Sequence, residues 1–221
     1  MRNSVLGTLS GARTRRAVKA DMLDYERLYI DNGATVIAGI DEAGRGPLAG
    51  PVVAACAVMP LDSIIEGVDD SKKLTRKTRE RLFEIICEKA IAYAVIEVDN
   101  KVIDDINILN ATKRAMLQAV NSIAVKPDVL LIDAVKLNTD ITICPIVGGD
   151  GLSYSIAAAS ILAKVYRDRL MLEYATRYPG YGFERHKGYG TPEHIAALKS
   201  LGATPIHRKT FIRNFVGESN E

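Results

Sequence analysis

The chain has 221 residues, of which 48% are hydrophobic and 25% charged, and 29 Lys and Arg against 27 Asp and Glu leave a net charge of +2. That size suits one globular domain, or one with a small helical appendage, and near neutrality gives no global sign of a polyanionic partner. The three cysteines, Cys56, Cys87 and Cys144, are odd in number and sit in apolar runs, which argues against a disulfide framework or zinc cluster and for buried, reduced thiols in a cytoplasmic protein; no run approaches the ~18 apolar residues of a membrane span.

Residues 1–20, MRNSVLGTLSGARTRRAVKA, carry five basic and no acidic side chains and read as a basic tail. With a helix expected over DMLDYERLYI they form an N-terminal part, 1–34, ahead of the main domain, 35–221. TVIAGID, VVAACAVMP and IAYAVIEVD are short, apolar and rich in β-branched residues, so each predicts a strand. Between the second and third, TRKTRERLFEIICEKA sets Leu82, Ile85 and Ile86 at helical spacing. NILNATKRAMLQAVNSI predicts the next helix, capped by Asn107, with Leu109, Met116, Val120 and Ile123 on one stripe. VLLIDAV reads as a strand buried on both faces, and ITICPIV as a shorter one. SYSIAAASILAKVYRDRLMLEYATRY is the longest helical pattern, stopped by Pro179 and its neighbouring glycines. This order predicts an α/β sheet with a helical C-terminal part. Basic charge gathers in two places: Lys72–Arg81 has six basic residues against Glu80, and Tyr181–Asn214 has six against two.

Asp41, Asp133 and Asp150 stand at or just past strand ends, where open α/β sheets place their sites, and Glu42 adjoins the first. A single aspartate there is ordinarily a turn residue or a helix cap. VLLIDAV is different, because it sets Asp133 inside an apolar run, where an unpaired charge is costly. The three histidines, His186, His194 and His207, all lie in the C-terminal region, so the expected partner of the carboxylates is a hard cation. Magnesium takes a few carboxylates plus water and phosphate oxygens, and two such ions ~4 Å apart clamp the attacking and leaving oxygens of a phosphodiester. No Cys or His stands at zinc-ligand spacing. No base marks Ser160 or Cys144 as a nucleophile, and they read as a helix-surface and a strand residue. Gly44-Arg45-Gly46, directly after the acidic pair, offers open backbone amides to a phosphate or hydroxyl. The residues alone leave two rivals to a two-metal nuclease: a non-catalytic hybrid-binding module, and a mononucleotide-binding domain, for which no lysine-bearing phosphate loop is present.

From about Ile37 to Phe211 the chain resembles ribonuclease HII, through IAGIDEAGRGPLAGPVVAACAV, DDSKKLT, NILNAT, LLIDAV, GGDGLSYSIAAASILAKVYRDR, YPGYGFERHKGYGTPEH and HRKTF in that order. The resemblance implies a ribonuclease H-like mixed sheet flanked by helices. It implies Mg2+- or Mn2+-dependent endonucleolytic hydrolysis of RNA in RNA–DNA hybrids, and of single ribonucleotides embedded in duplex DNA; a monomer is the default expectation. The family's four carboxylates fall on Asp41, Glu42, Asp133 and Asp150. Its Gly-Arg-Gly falls on Gly44, Arg45 and Gly46, which would meet the ribose 2′-hydroxyl, the group that separates RNA from DNA. Tyr189 matches the tyrosine that completes sugar recognition, and Lys72, Lys73, Lys164 and Arg167 match positions near phosphates. Two residues depart from the pattern: many relatives carry lysine at Gly148 and threonine at Tyr166. The related ribonuclease HIII has lysine in place of the arginine between its glycines, which sets this chain apart from it.

Overall fold

In the computed structural model, which describes residues 21–133 and 135–216, strand β2 (Val52–Val58) is buried along its whole length and decides the layering. Successive strand residues point to opposite faces. Val52, Ala54, Cys56 and Val58 join one apolar cluster, and Val53, Ala55 and Ala57 join another. The sheet runs β3-β2-β1-β4-β5, with β1 at Ile37–Ala43, β3 at Ala92–Val98, β4 at Val129–Ile132 and β5 at Thr142–Pro145. β1, β2 and β3 pair antiparallel, whereas β4 and β5 continue from β1 in parallel, so the sheet is mixed.

Before β1 stands α1 (Asp24–Asp31), and α2 (Arg76–Lys89) links β2 to β3. α3 (Asn100–Ser122) covers one face of the sheet through Ile103, Ala111, Ala115 and Met116. α4 (Tyr154–Arg177) covers the other with the small residues Ala157, Ala158 and Ala159. The short helices α5 (Phe183–His186), α6 (Pro192–Leu201) and α7 (Lys209–Ile212) form the C-terminal part. It closes on the β1–β2 connection through a bridge between Ala49 and His207. Gly39 lets α4 press on β1: a methyl group there would stand 2.0 Å from the Ser155 carbonyl carbon.

Four sequence expectations need correction. The helix expected from Asn107 starts seven residues earlier, at Asn100, where the Asp99 side chain caps it by accepting from Val102 N at 2.9 Å. Asp99 had been counted as the end of a strand. Asn107 does cap a segment, accepting from Asn110 N at 3.1 Å, but it does so inside α3, where its φ of 66° and ψ of 165° kink the helix. Leu109, expected on the buried stripe, lies just past that kink and is 45% exposed. Of the cysteines, only Cys56 is buried, with Cys87 and Cys144 half-buried, and all three are free thiols. Nor does residue 34 divide two packing units. Leu23 lies in the α4-side core, and the buried Glu26 carboxylate accepts from Ser153 Oγ at 2.7 Å and Ser155 N at 2.9 Å, so α1 clamps the start of α4. The basic tail read over residues 1–20 lies outside the described residues.

Gly39→Ala should lower stability on the order of 3 kcal/mol, the upper end of overpacking costs, because its methyl would also lie 2.2 Å from the Ser155 carbonyl oxygen. Thermal denaturation should show this as a melting point lower by roughly 6–12 °C for a chain of this size; an unchanged melting point would show that α4 can back away from β1.

Candidate active site

β1 is the central strand and carries two neighbouring carboxylates at its carboxyl end. Because adjacent strand residues face opposite ways, Asp41 and Glu42 divide between the two faces. Asp41 is buried on the α4 side, where Ser160 hydrogen-bonds it. Glu42 faces the other way and meets Arg45 Nη1 at 3.3 Å. The parallel register places Ile40 opposite Ile132, so Asp133, the next residue after β4, comes level with Asp41. Asp150 sits buried in a 3-10 turn, Gly149–Gly151, that follows β5. Its carboxylate takes the Lys72 ammonium at 2.7 Å.

The electrostatics link all four. The Asp41 pKa is raised to about 8, by burial first and then by the neighbouring charges of Glu42 and Asp150, against hydrogen bonds from the Glu42 backbone and Ser160. Burial also raises the Glu42 pKa, with Arg45 opposing and Asp133 reinforcing. Glu42 Oε2 is buried with no hydrogen-bond partner among the described residues. Asp133 stands just past the end of β4, as expected, but is half-buried rather than enclosed by the apolar run, and Gly148 N donates to its Oδ1 at 3.0 Å. Gly148 itself has a φ of 68°, a left-handed conformation that a lysine there would strain. Ser160 is also misread as a surface residue: it is buried, bonded to Ser71 Oγ at 2.8 Å, and turned to Asp41.

Asp41, Glu42, Asp133, Ser71, Lys72 and Ser160 line a cleft of about 240 Å³ together with Gly44, Arg45, Gly46, Lys164, Arg167 and Tyr189, and Asp150 adjoins it through its ion pair with Lys72. A family profile described as ribonuclease HII matches residues 38–214. A ribonuclease HII of Ruminiclostridium cellulolyticum is 58% identical over 196 residues, covering 88% of this chain and 77% of that protein. The chain belongs to the ribonuclease HII family. Among solved structures, the ribonuclease H2 from Pyrococcus horikoshii OT3 superposes with a TM-score of 0.71 at 31% identity, covering 82% of this chain and 97% of that one. The RNase HII solved in complex with PCNA from Archaeoglobus fulgidus gives 0.68 at 27%, covering 79% and 94%. The fold is therefore the ribonuclease H-like one, and the protein is a ribonuclease H, a hydrolase acting on RNA–DNA hybrids.

Two buried arginines shape the glycine turn of this ribonuclease H by donating to main-chain carbonyls. Arg167, expected at the substrate, is fully buried, and its guanidinium donates to the carbonyls of Pro51 (2.9 Å), Ala49 (3.1 Å) and Lys187 (3.1 Å). Sequence reasoning passed over Arg208, which donates to the carbonyls of Gly44 (2.6 Å), Arg45 (2.9 Å), Gly50 (3.0 Å) and Pro51 (3.2 Å). Its signal was an arginine in the matched HRKTF stretch, without an assigned task. In a trans peptide the C=O and the next N–H point in opposite directions. Drawing the Gly44 and Arg45 carbonyls inward therefore turns the N–H groups of Arg45 and Gly46 away from the buried arginine, toward the cleft. The two glycines have different reasons. Gly44 has a φ of 96°, and a methyl on it would lie 2.1 Å from Arg167 Nε. A methyl on Gly46 would meet only Tyr189 Cε1, at 3.7 Å.

The remaining basic residues separate. Lys72 and Lys164 line the cleft, the latter paired with Asp168 at 2.7 Å. Lys73 lies outside the lining and pairs with Asp69 and Asp70. Tyr166 packs against the α4-side core, away from the lining.

Because the folded pKa of Asp41 lies above its ordinary value of 3.8, its contribution to stability falls as pH rises from about 4 to about 8. Asn carries no such penalty. In chelator, the melting-point advantage of Asp41→Asn over the wild type should grow from pH 5 to pH 9; a constant difference would show that Asp41 ionises freely.

Proposed function

We propose that this ribonuclease H cuts duplex DNA 5′ of single embedded ribonucleotides as well as the RNA of hybrids. It would use two divalent ions, Mg2+ or Mn2+, at Asp41, Glu42, Asp133 and Asp150, and leave 5′-phosphate and 3′-hydroxyl ends. The residues fit such ions by donor type and charge. The orphaned Glu42 Oε2 and the raised pKa of Asp41 mark carboxylates short of positive charge. Among the described residues no three His, Cys, Asp or Glu side chains converge as a ready metal cage. That suits magnesium, which binds through a few carboxylates and completes its shell with water and substrate phosphate. Such ions activate water and stabilise the leaving oxygen. The chain itself holds the acids in register on β1 and β4, and Lys72, on Asp150, sets a cation at the cleft's rim.

The observation that carries the sugar reading is the gap between Gly46 and Tyr189. The glycine turn, with its outward N–H groups, and the 44%-exposed Tyr189 border one opening directly beside Asp41 and Glu42. A 2′-hydroxyl there meets backbone donors and the phenol, and the following deoxyribose packs on the ring. Carboxylates and cations read only the phosphodiester. Selection of an RNA-to-DNA junction falls to this turn, acting in a cytoplasmic monomer engaged in ribonucleotide removal during replication and repair.

Asp133→Asn should abolish cleavage at saturating Mg2+ while hybrid binding persists, because Asn keeps the Oδ1 acceptor for Gly148 N; substantial turnover would remove Asp133 from catalysis. The sugar reading is tested by the rate on a single-ribonucleotide duplex divided by the rate on continuous hybrid. Tyr189→Phe should lower that ratio roughly tenfold, the effect of one lost hydrogen bond to a polar group, and Tyr189→Ala further. Gly46→Ala should melt with the wild type, its methyl being in ordinary contact with the ring, yet lower the same ratio by filling the gap. Should Tyr189→Ala and Gly46→Ala both retain the wild-type ratio, the sugar is read elsewhere.

A further inference from the structure

All three histidines of the chain meet at the turn that carries Tyr189, and backbone groups fix the proton on each ring. Thr204 N, which can only donate, meets His207 Nδ1 at 2.9 Å, so that nitrogen accepts. The Tyr189 carbonyl, which can only accept, meets His194 Nδ1 at 2.9 Å, so that nitrogen carries a proton. His194 Nε2 and His207 Nε2 face each other at 3.0 Å. With the outer ends fixed, the inner bond has one arrangement: His207 donates and neutral His194 accepts. The third ring, His186, accepts at Nδ1 from Gly188 N (3.2 Å) and donates from Nε2 to the Tyr181 carbonyl (2.7 Å). It stacks on His194 with centroids 4.5 Å apart and planes 15° apart.

We propose that His207, His194 and His186 form a neutral hydrogen-bonded array whose task is to position Tyr189, so that the sugar selectivity assigned above to that tyrosine depends on residues outside the cleft. The inference rests on that reading of Tyr189. The array grips the turn on both sides, through the Gly188 N–H and the Tyr189 carbonyl, while Gly188 O accepts from Leu48 N at 2.8 Å and ties the turn to the β1–β2 connection. An added proton meets donors first. On His194 Nε2 it would face the His207 N–H, and on His207 Nδ1 it would face Thr204 N–H at 2.9 Å, with the Thr204 hydroxyl at 2.8 Å as an acceptor. The surroundings agree: His194 and His207 are both buried, which lowers their pKa values, that of His207 to about 4. Charged groups beside the array are Arg208 next to His207, Lys187 next to His186 with its ammonium on the Glu184 carbonyl, and Arg185 with Glu193 near His186, and the last two pair with each other.

Two measurements decide this. Imidazole nitrogen-15 spectra of the full chain at neutral pH, assigned by single substitutions, should show the proton on Nδ1 of His194 and on Nε2 of His186 and His207. A proton on Nε2 of His194, or an imidazolium at any of the three, overturns the array whether or not Tyr189 reads sugar. The second is the cleavage ratio defined above, measured for His194→Leu and His194→Asn with Tyr189→Ala as control. The Asn amide N–H can replace Nδ1–H toward the Tyr189 carbonyl, so His194→Leu should lose roughly tenfold in the ratio, as for one lost hydrogen bond, and His194→Asn should recover most of it. A folded His194→Leu with the wild-type ratio, beside a Tyr189→Ala that loses it, overturns the positioning role. If His194→Leu does not fold, His207→Leu against His207→Gln, whose amide still donates toward His194 Nε2, makes the same comparison. If Tyr189→Ala itself keeps the ratio, the sugar reading fails, and with it the positioning role.

Discussion

Two guanidinium groups buried in the protein interior, with carbonyl oxygens as partners, set the geometry on which the rest of this site depends. Burying a charge is costly unless it is hydrogen-bonded, and Arg167 and Arg208 meet that cost with three and four main-chain acceptors respectively, nearly all from residues 44–51. Burial lowers both pKa values, to about 10 and about 9, so both groups stay charged at neutral pH. The connection between β1 and β2 is thereby fixed at its carbonyls and faces the cleft with its N–H groups. A loop of glycines and prolines would otherwise have many conformations to lose. Here its order is imposed from helix α4 and from the C-terminal part, which explains why residues more than a hundred positions apart in sequence form one turn.

The same dependence marks what could be read from the sequence. The strands, α2 and α4 were legible because apolar spacing reports burial directly, and the four acids were legible because carboxylates at strand ends are few. Asp133 was found for a partly mistaken reason. The apolar run around it suggested a buried charge, whereas the strand ends one residue earlier and the carboxylate emerges half-buried onto Gly148 N. The structural tasks of Arg167 and Arg208 were not legible. Nothing local in the sequence tells that an arginine is buried against carbonyls, most of them over a hundred residues away. The histidine array was hidden for the same reason: it depends on contacts that exist only once the C-terminal part has folded back.

The acidic group is held in tension. Asp41 is buried next to Glu42 and near Asp150, and Lys72 pairs with Asp150, leaving Glu42 Oε2 unpartnered among the described residues. Such strain concentrates at functional sites, because a protein that satisfied these carboxylates with its own side chains would have nothing left with which to hold a cation. The central position of β1 makes the tension tolerable: a strand hydrogen-bonded on both sides and packed between α3 and α4 cannot move its acids apart.

Chemistry and sugar selection therefore share a single support. Asp41 and Glu42 end β1, Gly44 to Gly46 follow within the same turn, and the arginines that anchor that turn, like the histidines that hold the Tyr189 turn beside it, belong to α4 and the C-terminal part. A displacement of the C-terminal part would move Tyr189 and the turn's carbonyl anchors together while leaving the carboxylates in register on the sheet. Loss of selectivity and loss of hydrolysis are thus separable by the layer in which a substitution falls. In the proposed mechanism, Asp41 and Glu42 on β1 and Asp133 just past β4 govern whether a phosphodiester is cut, and residues of the C-terminal part govern which sugar follows it.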